Sequence, residues 1–303
     1  MRKLTLGFGL LGLLLAQLFS ATEEKKDLTY SINVGLVVLP VAVLDRSGRF
    51  VSGLEAKQFI IYEDEVPQQI QVFDQKDIPV AVGLVIDNST SMVTKRPQVI
   101  SAAVDLAESS NPEDQIFVIH FYEHISFALK LGEAFTSNID ELRAAVGRIA
   151  GLGRTALYDA VTAGLDHLGQ AELPKRVLVV ISDGGDNAST RTLEETLDMA
   201  TASNALIYCI GIYDEHARDR NPKVLKQLAE ISGGDVYFPR GESELSQACK
   251  RIAKDIRSQY TLGYIPGNQK KDGSYRKIRV TVDAPGEGNL TVRTRSGYMA
   301  PRS

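Results

Sequence analysis

Four short apolar runs in the middle of the chain constrain its fold more than any other feature of the sequence. The runs cover residues 80–86, 116–121, 177–181 and 205–212, and the helical patterns between and around them cover residues 97–108, 139–149, 157–168 and 193–203. Strands that are apolar on both faces and alternate with amphipathic helices are typical of a parallel sheet covered by helices on both sides. The sequence therefore predicts an α/β fold with a doubly wound, mostly parallel sheet.

The two ends of the chain follow a different pattern. Residues 28–73 alternate apolar and polar side chains in period two, and the alternation returns after a last helical pattern at about 242–256. Each end predicts antiparallel strands but is too short to bury a core alone. We therefore expect residues 28–78 and 258–303 to pair into one small β-sandwich, with the α/β domain, residues 79–257, inserted between them.

The first residues have the layout of an export signal. Arg2 and Lys3 precede an apolar stretch at 4–16, and a charged run follows at 23–26. This order predicts a signal peptide at residues 1–21 and a solvated tether at 22–27. The alternative is an uncleaved membrane anchor, because residues 4–22 carry no charge. Either way, we expect a protein that is periplasmic, extracellular or anchored to a membrane.

Charge and cysteine content exclude several classes of protein. With 34 Lys and Arg against 38 Asp and Glu, the net charge is −4, so the chain lacks the basic footprint of a nucleic-acid-binding protein. Cys209 and Cys249 are far apart in the sequence and form no CxxC motif, which argues against a disulfide framework or a structural zinc site. Two buried thiols are the expected result.

Oxygen-bearing side chains follow two of the predicted sheet strands. The strand at 80–86 leads into Asp87-Asn88-Ser89-Thr90-Ser91, and the strand at 177–181 leads into Ser182-Asp183-Gly184-Gly185-Asp186. Thr155 lies in a third loop, just before a helix. Open α/β sheets bind ligands at the carboxyl ends of their strands, and hydroxyl and carboxylate oxygens suit a hard cation such as Mg²⁺.

The five residues Asp87, Ser89, Ser91, Thr155 and Asp183 resemble, in order and spacing, the metal-ion-dependent adhesion site (MIDAS) of the von Willebrand factor type A (VWA) family. The resemblance extends over about residues 79–256, and the flanking segments 260–264 and 295–298 are similar to the secreted bacterial branch called VWFA-related domains. It implies that Ser89 and Ser91 bind the ion directly, that Thr155 does so in one loop state, and that Asp87 and Asp183 act directly or through water. The ion would be Mg²⁺, Mn²⁺ or Ca²⁺.

The resemblance implies an exported, non-enzymatic binding protein that captures an Asp or Glu of a protein partner. The competing interpretations are a metal-independent structural or interaction module and, with less support, a metal-dependent hydrolase. For the DxSxS segment alone, the simpler interpretation is a strand end whose Asp caps the next helix. We expect Asn88 and Asp186 to be solvated polar residues at the rim of the site.

A zinc peptidase pattern also occurs formally, because His120-Phe121-Tyr122-Glu123-His124 matches HxxEH. That chemistry requires both histidines on one face of a helix. Residues 116–121 and 125–131 instead predict two strands, so His120 and His124 should flank a turn.

Overall fold

The computed structural model of the chain describes residues 35–148, 153–212 and 220–302. The predicted signal peptide and tether lie outside these residues. No helix within the described ranges is both long enough and apolar enough to cross a membrane.

The described residues contain strands and helices in the following order. The strands are β1 (Val37–Leu44), β2 (Phe59–Glu63), β3 (Val66–Gln68), β4 (Ile70–Asp74), β5 (Val80–Asp87), β6 (Gln115–Phe121), β7 (Ile125–Phe127), β8 (Lys175–Ser182), β9 (Leu206–Gly211), β10 (Val236–Tyr237), β11 (Tyr260–Tyr264), β12 (Tyr275–Val282), β13 (Thr291–Arg293) and β14 (Gly297–Met299). The helices are α1 (Arg96–Glu108), α2 (Ile139–Val146), α3 (Leu157–Leu168), α4 (Leu193–Ser203), α5 (Pro222–Ser232) and α6 (Glu242–Ser258), with 3₁₀ turns at Ala56–Gln58 and Thr90–Lys95.

Six strands form the central sheet, in the order β10-β9-β8-β5-β6-β7, and all neighbours are parallel except β6 and β7. Every residue of β5 is buried. Val82 and Leu84 pack with α1, α2 and α6, whereas Ala81 and Val85 pack with α3 and α5 on the opposite face. The alternation of side chains along the strand thus supplies two cores, and the predicted doubly wound α/β fold is confirmed.

Some elements of this domain differ from the sequence prediction. The strand expected at 125–131 is only the short β7, and α5 and β10 had not been predicted. Helix α5 did have a signal, since Pro222 stands at its first position and Gly233 follows its end with a φ of +83°. β10 has just two residues and no alternation could reveal it.

The ends of the chain form two four-stranded antiparallel sheets, ordered β13-β1-β11-β4 and β14-β12-β2-β3. In the first, β1 pairs with β11 and β13, and in the second β2 pairs with β12, so each sheet combines strands from both ends. Their shared core includes Leu39, Ile61 and Tyr260. The predicted β-sandwich built from both flanks is therefore present, while the exact domain boundaries stay a prediction.

The two flanking motifs meet inside the sandwich at one carboxyl group. The hydroxyls of Tyr264 and Tyr298 donate to Glu63 Oε2 at 2.7 and 2.9 Å, and Glu63 is buried. Burial and the neighbouring Glu63 carboxyl raise the pKa of both tyrosines. A side chain from the N-terminal region thus ties together two segments from the C-terminal region.

Candidate functional site

Two loops leave the central sheet side by side at the carboxyl ends of β5 and β8. The register pairs Ile86 with Ile181, so the next residues, Asp87 and Ser182, are neighbours across the sheet. Ser182 Oγ donates to Asp87 Oδ2 at 2.6 Å. This hydrogen bond joins the bases of the two loops.

Four of the five predicted site residues form one hydrogen-bonded cluster above this contact. The Ser89 N–H donates to Asp87 Oδ1 at 2.8 Å, and Ser91 Oγ donates to Asp183 Oδ2 at 2.6 Å. The Ser89 and Ser91 hydroxyl oxygens are 3.2 Å apart. The DxSxS segment and the Asp183 turn, which are more than 90 residues apart in the sequence, therefore present their oxygens together.

The loop of Thr155, the fifth predicted residue, lies against both of the others. The N–H and the hydroxyl of Thr90 each donate to the Gly153 carbonyl oxygen at 3.2 Å. On the other side, the Thr155 N–H donates to Asn187 Oδ1 at 2.9 Å. The position of Thr155 is thus tied to the DxSxS segment and to the loop that carries Asp183.

Both carboxyl groups of the cluster are buried, and this has an electrostatic cost. Asp87 is 1% exposed and Asp183 is 3% exposed, whereas Ser91 is open to solvent. Burial raises the pKa of Asp87 to about 6, opposed by the hydrogen bonds from Ser182 and Ser89, and the charge of Asp183 raises it further. Two buried carboxylates that repel each other form a site where a cation would be favourable.

The chemistry of the donor set fits a hard divalent cation. Hydroxyl and carboxylate oxygens of the cluster lie together here, and the hydroxyl of Thr155, itself a buried residue, makes no hydrogen bond within the part of the chain that the structure describes. Within the same residues, no group of three or more His, Cys, Asp or Glu side chains is placed to hold a metal ion. An ion at this site would therefore depend on hydroxyl ligands in addition to the two carboxylates.

Two expectations about the rim were wrong. Asn88 is 4% exposed rather than solvated, and its side-chain nitrogen lies 2.7 Å from His120 Nδ1. Asp186 is half-buried, and it accepts hydrogen bonds from the Tyr158 N–H and from the N–H and hydroxyl of Ser189. Asn88 thus contacts a side chain 32 residues away, and Asp186 holds a backbone N–H 28 residues away, so both roles depend on partners distant in the sequence.

The histidines of the HxxEH pattern do not share a helical face. His120 lies in β6 and is buried, with its Nε2 2.8 Å from the Ala145 carbonyl oxygen, and burial lowers its pKa. His124 lies just before β7 with an exposed side chain. The pattern is therefore a strand followed by a turn, as expected, and His120 has a structural role.

Sequence reasoning did not identify Ser182 and Asn187 as contributors to this site. Ser182 belongs to a turn that the sequence did mark, but its bond to Asp87 follows from the strand register. Asn187 had no local signal, because its partner Thr155 is 32 residues away.

The two predicted free thiols, Cys209 and Cys249, are both buried, and burial raises the pKa of both thiols, that of Cys249 to about 12.

A mostly parallel sheet covered on both faces, with a DxSxS segment at the end of its central strand β5, is typical of a known class of domain. The family model of the von Willebrand factor type A domain matches residues 82–251, more than half of the chain. The chain belongs to this family.

Individual relatives are distant. An uncharacterized protein of Borreliella burgdorferi is 24% identical over 213 residues, which are 68% of this chain and 60% of the relative. The chain thus spans about 60% of the length of that curated relative.

Solved structures show the same fold at low identity. A von Willebrand factor type A protein from Catenulispora acidiphila superposes with a TM-score of 0.53 at 15% identity, covering 90% of this chain and 76% of that one. The vWF domain of the type V pili tip protein Mfa5 from Porphyromonas gingivalis gives 0.51 at 12% identity, covering 59% and 95%.

Proposed function

We propose that this protein is an exported, non-enzymatic binding module that captures a carboxylate of a protein partner at a divalent cation site. The ion would be held by Asp87, Ser89, Ser91, Thr155 and Asp183. The observation that carries the proposal is the hydrogen-bonded cluster in which two buried carboxylates and two serine hydroxyls from separate loops share one edge of the sheet.

Asp87 and Asp183 have different roles in the cluster. Asp87 orders the first loop through the Ser89 N–H and meets the second loop through Ser182, while Asp183 holds Ser91. When bound, Mg²⁺, Mn²⁺ or Ca²⁺ would have hydroxyls and water at most of its coordination positions, so an acidic side chain of the partner could replace a water on the ion. Because Ser91 is exposed, that side chain could approach from solvent.

Two further observations support a binding role over catalysis. His120 is buried and pairs with Ile86 near the end of β5. Both of its ring nitrogens are within hydrogen-bonding distance of a partner, the Asn88 side chain and the Ala145 carbonyl oxygen, so it is not free to move protons. The similar Mfa5 domain comes from a type V pili tip protein, and we extend such a setting to this chain as part of the proposal.

Melting experiments test the cation site directly. A cation that binds only the folded protein raises its free energy of unfolding by about 2.7 kcal/mol at a free concentration about 100 times Kd. We expect Mg²⁺ or Mn²⁺ to raise the melting temperature above that in EDTA, and we expect Asp87→Ala to remove the rise.

Asp140→Ala is the matched control, since it removes one carboxylate from the exposed face of α2, where the side chain is 83% exposed. It should keep the full metal-dependent rise. A wild-type protein that melts at the same temperature with metal and with EDTA would instead support the metal-independent interaction module.

Export is a separate part of the proposal and rests on the sequence of residues 1–21. Mass spectrometry of the protein from its natural host should show a chain that begins near Thr22. An intact Met1 on soluble cytosolic protein would contradict export, and an intact Met1 in the membrane fraction would indicate the anchor alternative.

A further inference from the structure

The loop after Asp183 holds both backbone polar groups of Thr155. The Thr155 N–H donates to Asn187 Oδ1 at 2.9 Å. In return, the N–H groups of Asn187 and Ala188 donate to the Thr155 carbonyl oxygen at 2.9 and 3.0 Å. Three hydrogen bonds therefore fix one residue of the candidate site to the loop that supplies another.

The same loop also holds the first turn of α3, which begins two residues after Thr155. The first N–H groups of a helix have no acceptor within the helix, and here the N-cap residue is Ala156, whose side chain cannot accept a hydrogen bond. Asp186 Oδ2 accepts from the Tyr158 N–H at 3.1 Å, and Ser189 Oγ accepts from the Asp159 N–H at 3.1 Å. Residues 186–189 thus replace the missing cap from outside the helix.

The side chain of Thr155 does not fix its own position. Its hydroxyl takes part in none of the hydrogen bonds recorded for the described residues, in contrast to the hydroxyls of Ser89 and Ser91. Its position is fixed by backbone bonds: those to the 186–189 segment, the bond from Thr90 to Gly153, and the bond from the Ala156 N–H to the Tyr122 carbonyl oxygen at 2.7 Å. Among these, the Asn187 amide is a side-chain contribution that a substitution can remove, and Asn187 itself is exposed.

We infer that Asn187 is a positioning residue, which holds Thr155 against the loop that follows Asp183 and thereby sets the affinity of the cation site. The inference rests on the proposed function, since it concerns the same site. A ligand that occupies its binding position only part of the time lowers the apparent affinity by that fraction. The hydrogen bond from Thr155 to Asn187 keeps the loop in one position before any ion or partner binds.

Calorimetric titration with Mn²⁺ tests this inference on the full-length protein. Asn187→Ala removes the acceptor and should weaken Mn²⁺ binding about fivefold, the effect of one net hydrogen bond. Asn187→Asp keeps an oxygen in the same place and should bind at least as tightly as wild type. If the Asp variant bound as weakly as the Ala variant, the hydrogen bond would not be the cause.

Asn138→Ala serves as the matched control, because Asn138 also accepts backbone hydrogen bonds, from Asp140 and Glu141 at the start of α2. It should lower the melting temperature and leave Mn²⁺ affinity unchanged. A loss of affinity in this variant equal to that of Asn187→Ala would indicate general destabilisation and overturn the inference.

Hydrogen exchange in EDTA gives a readout that does not require the ion. The peptide containing Thr155 should exchange faster in Asn187→Ala than in wild type, and at the wild-type rate in Asn187→Asp. Unchanged exchange in the Ala variant would overturn the positioning role. Wild-type protein that binds no Mn²⁺ would refute the proposed function, whereas equal Mn²⁺ binding by wild type and Asn187→Ala would refute this inference alone.

Discussion

Removing the hydroxyl of Tyr264 tests how the two ends of the chain are held together. The hydroxyl donates to Glu63 Oε2 at 2.7 Å, and both side chains are buried. A hydrogen bond to a carboxylate contributes about 1.5–3 kcal/mol, and a buried acceptor that loses its donor is not rescued by water. We expect Tyr264→Phe to lower the free energy of unfolding by about 2 kcal/mol.

The second tyrosine makes the effect non-additive. Tyr298 donates to the same oxygen of Glu63 at 2.9 Å, so either single variant leaves that oxygen one donor. The double variant Tyr264→Phe/Tyr298→Phe leaves it with neither tyrosine. Its cost should exceed the sum of the two single costs by about 0.5 kcal/mol or more, the coupling expected for residues in one hydrogen-bond network.

Urea denaturation followed by circular dichroism measures these differences, with Tyr275→Phe as the control. The Tyr275 hydroxyl lies 3.0 Å from Ser296 Oγ at the protein surface. Its removal should change the free energy of unfolding by less than about 0.5 kcal/mol. If Tyr264→Phe also fell within that limit, the Glu63 cluster would not be what joins the strands. If the double variant cost only the sum of the two singles, the two tyrosines would act independently and the expected coupling would be refuted.

Two further substitutions test a half-buried charge and a strained turn. Burial lowers the pKa of Lys175 to about 8, with the charge of Arg257 adding to the effect and those of Asp255, Asp77 and Asp114 opposing it. The folded protein then binds fewer protons than the unfolded chain, so its free energy of unfolding should rise with pH. Between about pH 7 and pH 11, urea denaturation should show the free energy of unfolding of wild type rising by up to about 3 kcal/mol relative to that of Lys175→Met. A difference that stays constant with pH would contradict this expectation. Gly184, beside Asp183, has a φ of +80°, and a Cβ there would meet the Asn221 carbonyl oxygen at 2.5 Å. Gly184→Ala should therefore lower the free energy of unfolding by about 2 kcal/mol and weaken Mn²⁺ binding. The control is Gly53→Ala, at a φ of +82° with nothing within 4 Å of the added Cβ, which should lower it by about 1 kcal/mol. Equal losses in the two variants would mean that the contact with the Asn221 carbonyl oxygen is unimportant.

Most of the fold could be predicted from local patterns. The apolar run at 80–86 became β5, buried on both faces, because a strand between two layers of helices has no polar face. Alternation at both ends correctly indicated antiparallel strands that pair across the inserted domain. Helix α5 was missed although the sequence carried its signal, because Val224, Leu225, Leu228 and Ala229 recur at helical spacing between Pro222 and Gly233.

The candidate site, like the fold, could be predicted from local sequence only in part. The sequence by itself determined which oxygen-bearing residues follow the sheet strands, since Asp87, Ser89 and Asp183 lie next to strongly apolar runs. It did not reveal that Asn88 is buried against His120.

Only the tertiary structure decided how these residues are held. The bond from Ser182 to Asp87 follows from the parallel register of β5 and β8, and the bond from Thr155 to Asn187 joins two loops that no pattern in the sequence links. Local sequence determines where strands, helices and turns form, because those depend on near neighbours along the chain. Hydrogen bonds between loops depend instead on which strand ends the completed sheet brings together.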